Sequence, residues 1–181
     1  KLSVTKKYNY GNNFMKKEKF EEAVFGAGCF WHVEGVFSKV NGVVNTEVGY
    51  MGGNEKKYSN PTYEDVCSDE SGFAEVVQVK FDSNKISYEK LLDVLFRSHD
   101  PTTFHKQGHD VGSQYRSVIF YYNDKQKKLA EKKLKEYQKK TDKKIVTEIA
   151  KAGKFFRAEE YHQEYSKKHP FVCRIMNIFG R

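Results

Sequence analysis

The stretch from Glu22 to Val40 constrains the fold of this chain most, because its hydrophobic period changes within a few residues. Ala23-Val24-Phe25 is a short apolar run, Gly26 and Gly28 interrupt it, and Phe30, Val33, Phe37 and Val40 then recur at three- and four-residue intervals. The first pattern suits a buried strand and the second one face of an amphipathic helix, so the spacing predicts strand, tight turn and helix. Asn41-Gly42 closes that helix and Val43 to Tyr50 resumes as a strand. Cys29 falls at or beside the first turn of the helix.

The same reading places a strand over Ala74 to Phe81, in which Glu75, Val77, Val79 and Phe81 share one face. Ser87 caps a helix that runs to about His99 with Leu91, Leu92, Leu95 and Phe96 inward, and Asp100-Pro101 stops it. Residues 52–61 and 101–113 read as polar, glycine-bearing loops, Arg116 to Tyr122 as a strand and Lys125 to Lys140 as a helix. No period of about 20 to 50 residues repeats, which excludes solenoids and propellers. The 181 residues fit one α+β domain with helices packed on a sheet, over residues 21–181, preceded by an N-terminal arm over residues 1–20.

The formal charge of +8 raises the question of an anionic partner. Many of the lysines lie between Lys125 and Lys144, where Leu129, Leu134, Tyr137, Glu131 and Glu136 mark a solvated amphipathic helix. No aromatic-interleaved basic motif or zinc-finger spacing accompanies the charge, so neither nucleic acid nor a membrane is an expected partner. No run approaches the roughly 18 apolar residues of a membrane span, and the start of the chain has no hydrophobic signal core. Cytoplasmic localisation is the expectation; because the sequence opens at Lys1 without a methionine, a removed leader or export stays open.

Chemistry centres on the cysteines, which number three: Cys29, Cys67 and Cys173. They are too few and too far apart for a disulfide framework or a four-cysteine zinc site. A free thiol with a pKa of about 8.5 is mostly protonated at neutral pH, and a helix N-terminus favours its anion. Cys29 therefore stands where a nucleophile benefits, with Phe30 and Trp31 beside it as an apolar cup for a small nonpolar group such as a methyl. The residues alone leave two bland readings open, a small buried cysteine in a turn and two aromatics packed in a core. Glu75 must be desolvated or lie at the open edge of the sheet; desolvation makes it a general acid. A strand-end glutamate paired with lysine is the alternative. The spacing of His99, His105, His109 and Asp110 fits no standard metal site. No phosphate-cradling loop, dinucleotide fingerprint or serine nucleophile elbow is present.

Taken in order, Gly28-Cys29-Phe30-Trp31, Asn60-Pro61-Thr62-Tyr63, His99-Asp100-Pro101 and Gly112-Ser113-Gln114-Tyr115-Arg116-Ser117 closely resemble the A class of peptide methionine sulfoxide reductases. Thr147-Glu148-Ile149 and Glu160-Tyr161-His162-Gln163 strengthen the likeness, which spans residues 23 to 173. The resemblance implies a two-layer α+β sandwich with a ferredoxin-like βαβ core, a mixed sheet packed by helices. It implies reduction of the S epimer of methionine sulfoxide, free or in proteins, a repair step on the methionine oxidation ladder.

It further implies that Cys29 attacks the sulfoxide sulfur and is left as a sulfenic acid, while Phe30 and Trp31 hold the ε-methyl group. Glu75 protonates the oxygen directly or through water, Tyr63 and Tyr115 hydrogen-bond it, and Asp110 helps organise the pocket. No bound cofactor is expected; an external thiol, thioredoxin by family, is the reductant, and the chain is expected to act as a monomer. Cys173 is the candidate resolving cysteine by location, but His169-Pro170-Phe171-Val172-Cys173 lacks the glycine-rich tail common in the family, which leaves a bystander role open. Cys67 is expected to be structural. A silent member that binds oxidised peptides or anionic partners through its lysine face is the competing class of function.

Overall fold

The computed structural model describes residues 19–68 and 70–170; Cys173 and most of the N-terminal arm lie outside them. β1 (Phe20–Gly26) leads through a three-residue turn into α1 (Phe30–Phe37), and β2 (Val43–Met51) follows. Gly26, which ends β1, and Gly28, within the turn, have separate reasons. A Cβ on Gly26 would lie 2.7 Å from a Val118 methyl and 3.0 Å from the Glu75 carbonyl oxygen, while Gly28 adopts φ +86°, where L side chains are strained. After β2 come α2 (Tyr63–Cys67), β3 (Ala74–Asp82), α3 (Tyr88–Ser98), a hairpin of β4 (Lys106–Gln107) and β5 (Asp110–Val111), and a 3-10 turn over Ser113–Tyr115. β6 (Val118–Tyr121), α4 (Asp124–Gln138), β7 (Glu148–Lys151), β8 (Phe156–Arg157) and α5 (Tyr165–Lys168) complete the described order.

The main sheet has six strands in the order β7-β6-β1-β3-β2-β8. β1 is antiparallel to both β3 and β6, and β3 is antiparallel to β2. α1 thus carries the chain from β1 past β3 to β2, and α3 carries it from β3 past β1 to β6. Two interleaved split βαβ units of this kind make the ferredoxin-like core. β7 adds a parallel edge on β6, and β8 an antiparallel edge on β2.

α1, α3 and α4 cover one face. Ala23, Phe25, Val48, Tyr50, Val77, Val79, Phe81 and Ile119 of the sheet pack there against Phe30, Val33, Phe37, Leu91, Leu92, Leu95, Phe96 and Ala130. On the other face Val24, Val76, Val118 and Phe120 are sealed by Ala150, Ala152 and Phe155 from the segment after β6. Glu75 sits at the start of β3 on the helix-covered face, at the end where α1 begins.

Two expectations change at this level, and one element is added. The 101–113 loop contains the β4/β5 hairpin, and the strand expected from Arg116 starts at Val118. Arg116 has turned inward to donate to the carbonyls of Ser113 at 2.9 Å and Gly72 at 3.1 Å. The segment after residue 61 forms α2, whose Thr62/Asp65 capping box satisfies its first amides.

Candidate active site

Cys29 is the N-cap of α1, and its carbonyl accepts from the amides of His32 and Val33 at 3.1 and 3.3 Å. The peptide units of Trp31 and His32 favour the thiolate, as a helix N-terminus should, but they do not prevail. Burial first, then the charge of Glu75, push the thiol up to about 12. The expectation of a thiol acidified by its helix is corrected accordingly: two carboxylates, Glu75 and Asp110, face a half-buried sulfur.

Glu75 is buried, at 1 % exposure, and its Oε2 accepts from the Phe30 amide at 3.0 Å. Burial raises its pKa to about 8 against the pull of that amide, and Asp110 adds to the rise. The carboxyl is therefore largely protonated at neutral pH, and the alternative of a strand-end glutamate paired with lysine is set aside.

Tyr63 opens α2, and its hydroxyl shares a hydrogen bond with Tyr115 from the 3-10 turn. Burial, then Glu75, hold both phenols above their ordinary range, Tyr115 up to about 12. Both remain hydrogen-bond donors at any physiological pH. The Cys67 thiol ends α2 beside the Tyr63 hydroxyl. Asp110 lies in the hairpin whose Gln107 side chain closes over Gly28, and its charge reaches both Cys29 and Glu75.

The aromatic wall is built by residues that the sequence places far away. The Trp31 indole N–H donates to His162 Nδ1 at 3.0 Å, and the Trp31 ring stacks on Tyr165 with centroids 3.7 Å apart and planes 7° apart. Phe30 and Tyr63 also lie against the His162 ring, at 5.0 and 4.7 Å. Phe30 is buried and Trp31 half-buried, so Phe30 backs the cup and Trp31 forms its open side. Ser166 Oγ donates to the Trp31 carbonyl at 2.7 Å, and the Gln163 side chain bridges the Val48 backbone. Together these contacts weld the segment from Glu159 to Ser166 to α1 and β2.

The seven residues expected at the site in the described part of the chain are thus linked by contact or charge around Cys29 and Glu75. A family model described as peptide methionine sulfoxide reductase matches residues 21–179. The chain belongs to that family. A peptide methionine sulfoxide reductase MsrA of Methanothermobacter thermautotrophicus is 55 % identical over 166 residues, covering 90 % of this chain and 96 % of its own length. Among solved structures, Mxr1 of Saccharomyces cerevisiae in reduced form is similar with a TM-score of 0.80 and 38 % identity, over 86 % of this chain and 92 % of that one. Mxr1 in complex with Trx2 is similar with a TM-score of 0.58 and 31 % identity, over 91 % of this chain and 92 % of Mxr1.

Sequence reasoning on this methionine sulfoxide reductase family member left out Tyr50, Glu159 and Tyr165 and gave His162 no role. The signal for His162 was the Glu160-Tyr161-His162-Gln163 motif, which carries the family likeness without saying what the ring touches. Among the described residues no group of three or more histidine, cysteine or acidic side chains is placed to hold a metal ion. No helix among them is long and apolar enough to cross a membrane.

Proposed function

We propose that this chain reduces the S epimer of methionine sulfoxide, free or within proteins, with Cys29 as nucleophile and Glu75 as general acid. The observation that carries the assignment is the pairing of a carboxyl that is protonated at neutral pH with a thiol whose acidity depends on that same proton. When Glu75 is protonated, the charge opposing thiolate formation is absent. One protonation state therefore readies both the acid and the nucleophile.

The Trp31 ring, backed by Phe30, receives the ε-methyl group, and the oxygen lies toward Tyr63, Tyr115 and Glu75. Sulfur of Cys29 bonds to the sulfoxide sulfur, and the protonated oxygen then passes as hydroxyl to Cys29 while the substrate's bonds to that oxygen and to Cys29 sulfur break, which frees the thioether. Glu75 gives its proton to the departing oxygen and recovers one from the thiol. The net step, Cys29–SH plus sulfoxide to Cys29–SOH plus thioether, balances without an added proton. Donors aimed at a developing oxyanion contribute roughly 3 kcal/mol each in comparable sites. Asp110 sets the field on Cys29 and Glu75 from the hairpin.

A second thiol then displaces water from the sulfenic acid to form a disulfide, which a dithiol of thioredoxin type reduces. The Trx2 complex of yeast Mxr1 supports that reductant. Cys173, outside the described residues, remains the proposed resolving cysteine. Cys29→Ser is expected to lose reduction of methionine-S-sulfoxide with dithiothreitol as electron source, the R epimer being a poor substrate throughout. Full turnover by that variant contradicts the assignment.

A further inference from the structure

We propose that Glu159 is a positioning residue that fixes both walls of the sulfoxide pocket, the Tyr63 side directly and the Trp31 side through His162. The inference rests on the reading above, in which those two residues receive the oxygen and the methyl group. Glu159 precedes the turn that carries His162, and its carboxylate is shared three ways. Oε1 accepts from the backbone amide of Tyr63 at 2.9 Å, and Oε2 accepts from the Tyr50 hydroxyl at 2.8 Å. Oε2 also stands 4.0 Å from His162 Nε2. The Tyr63 amide is one of the first donors of α2, which no residue of that helix can satisfy. Glu159 supplies the acceptor and so sets where Tyr63 begins its helix.

The link to Trp31 runs through the tautomer of His162. An indole N–H only donates, so Nδ1 must carry a lone pair and Nε2 the proton. The ring is 1 % exposed, and Nε2 has no hydrogen-bond partner among the described residues. A carboxylate facing Nε2–H favours that tautomer over the one that would point an N–H at the Trp31 indole. Burial keeps the imidazole neutral, against the opposing pull of Glu159. Burial also resists ionisation of Glu159 itself, and the Tyr63 amide with the Tyr50 hydroxyl overcomes it.

A purely structural glutamate and a positioning one differ in how two variants divide. In Glu159→Ala the acceptor for Tyr63 and the charge at His162 are both gone. In Glu159→Gln the side-chain oxygen still accepts from the Tyr63 amide, but an N–H2 replaces the charge beside Nε2–H. We expect the alanine variant to lose about tenfold in the single-turnover rate at saturating methionine-S-sulfoxide and to need about tenfold more substrate for half-saturation. The glutamine variant should recover the saturating rate to within about threefold while keeping the raised half-saturation. Because Trp31 is the only tryptophan, its emission before substrate is added should shift in both variants.

Unchanged kinetics and emission in either variant overturn the proposal, as does an equal loss of rate and of substrate affinity in both variants that tracks a lowered melting temperature. Should the alanine variant fail to fold, the split in the glutamine variant decides alone. Failure of the wild type to reduce the sulfoxide rejects the functional reading instead, and the emission of the unliganded variants still tests the positioning.

Discussion

Glu75 and Cys29 form one electrostatic unit. A carboxyl with a pKa near 8 and a thiol near 12 have each moved in the direction that burial dictates, and each negative charge opposes the other. Glu75→Gln removes the charge while keeping the shape. Its Cys29 thiol should therefore titrate at lower pH than in the wild type, a shift that pH-dependent alkylation by iodoacetamide reads directly. The same variant should reduce the sulfoxide more slowly, by about 100-fold. In the wild type the first reductive step should fall off above about pH 8 as Glu75 ionises; that break should be missing in the variant. An unaltered profile would remove Glu75 from the acid role. At this scale the sequence singled out Cys29, Phe30, Trp31 and Glu75 but not the acidity of the thiol. The helix terminus is local and visible in a sequence, whereas Glu75 arrives from a strand 46 residues away.

Among the elements, α3 and α4 are joined by a charge cluster as well as by apolar packing. Lys133 is 7 % exposed and reaches Asp93 at 3.1 Å, Glu136 at 3.0 Å and Glu89 at 3.7 Å. Burial alone would lower its pKa, yet Glu136 and Asp93 raise it to about 12. Lys133→Ala leaves three carboxylates facing one another, and it should cost about 2 kcal/mol in urea unfolding. Lys132→Ala, one position away and exposed, should stay within about 0.5 kcal/mol. Equal effects would mean that the cluster carries no weight.

This helix also shows what a sequence conveys: its lysines read as one solvated face, and most are, but Lys133 lies inside a network that depends on α3. The long elements were legible for a related reason. Ala74 to Phe81 and Tyr88 to Ser98 carry their periods over many residues, so one face of each declares itself. β7 and β8 are short edge strands of four and two residues, defined by whom they pair with rather than by pattern. His162 and Glu159 were out of reach likewise, since their roles arise where a distant turn docks on α1 and α2.

Over the whole molecule, two buried glutamates set an alkaline limit on stability. Glu75 rises to about 8 and Glu34, on α1 where it meets α5, to about 7, burial being the first cause for both. Their folded pKa values exceed the unfolded ones, so the folded state binds protons more tightly and loses stability as pH rises from about 4.5 through 8. His99 and His162 act oppositely: burial lowers their pKa, so their contribution is fully present above about 6.5 and is lost as pH falls below it toward their folded values. Above that point the histidines drop out and the two glutamates carry the large shifts that fall below about pH 9, the Cys29 thiol following only at higher pH. The melting temperature should therefore decline between pH 6.5 and 8.5, and Glu34→Gln with Glu75→Gln should flatten that slope; an equal slope in the double variant would refute the assignment.

The α+β sandwich thus brings residues from α1, α2, β3, the β4/β5 hairpin and the turn before α5 to one thiol, and the proposed reaction has that thiol take the oxygen. The most direct test mixes the protein with one equivalent of methionine-S-sulfoxide, without reductant and with dimedone as a sulfenic acid trap, and maps the products by mass. The account predicts one equivalent of methionine, with Cys29 carrying the trap or joined in a disulfide. Methionine formed while Cys29 remains an unmodified thiol would contradict it.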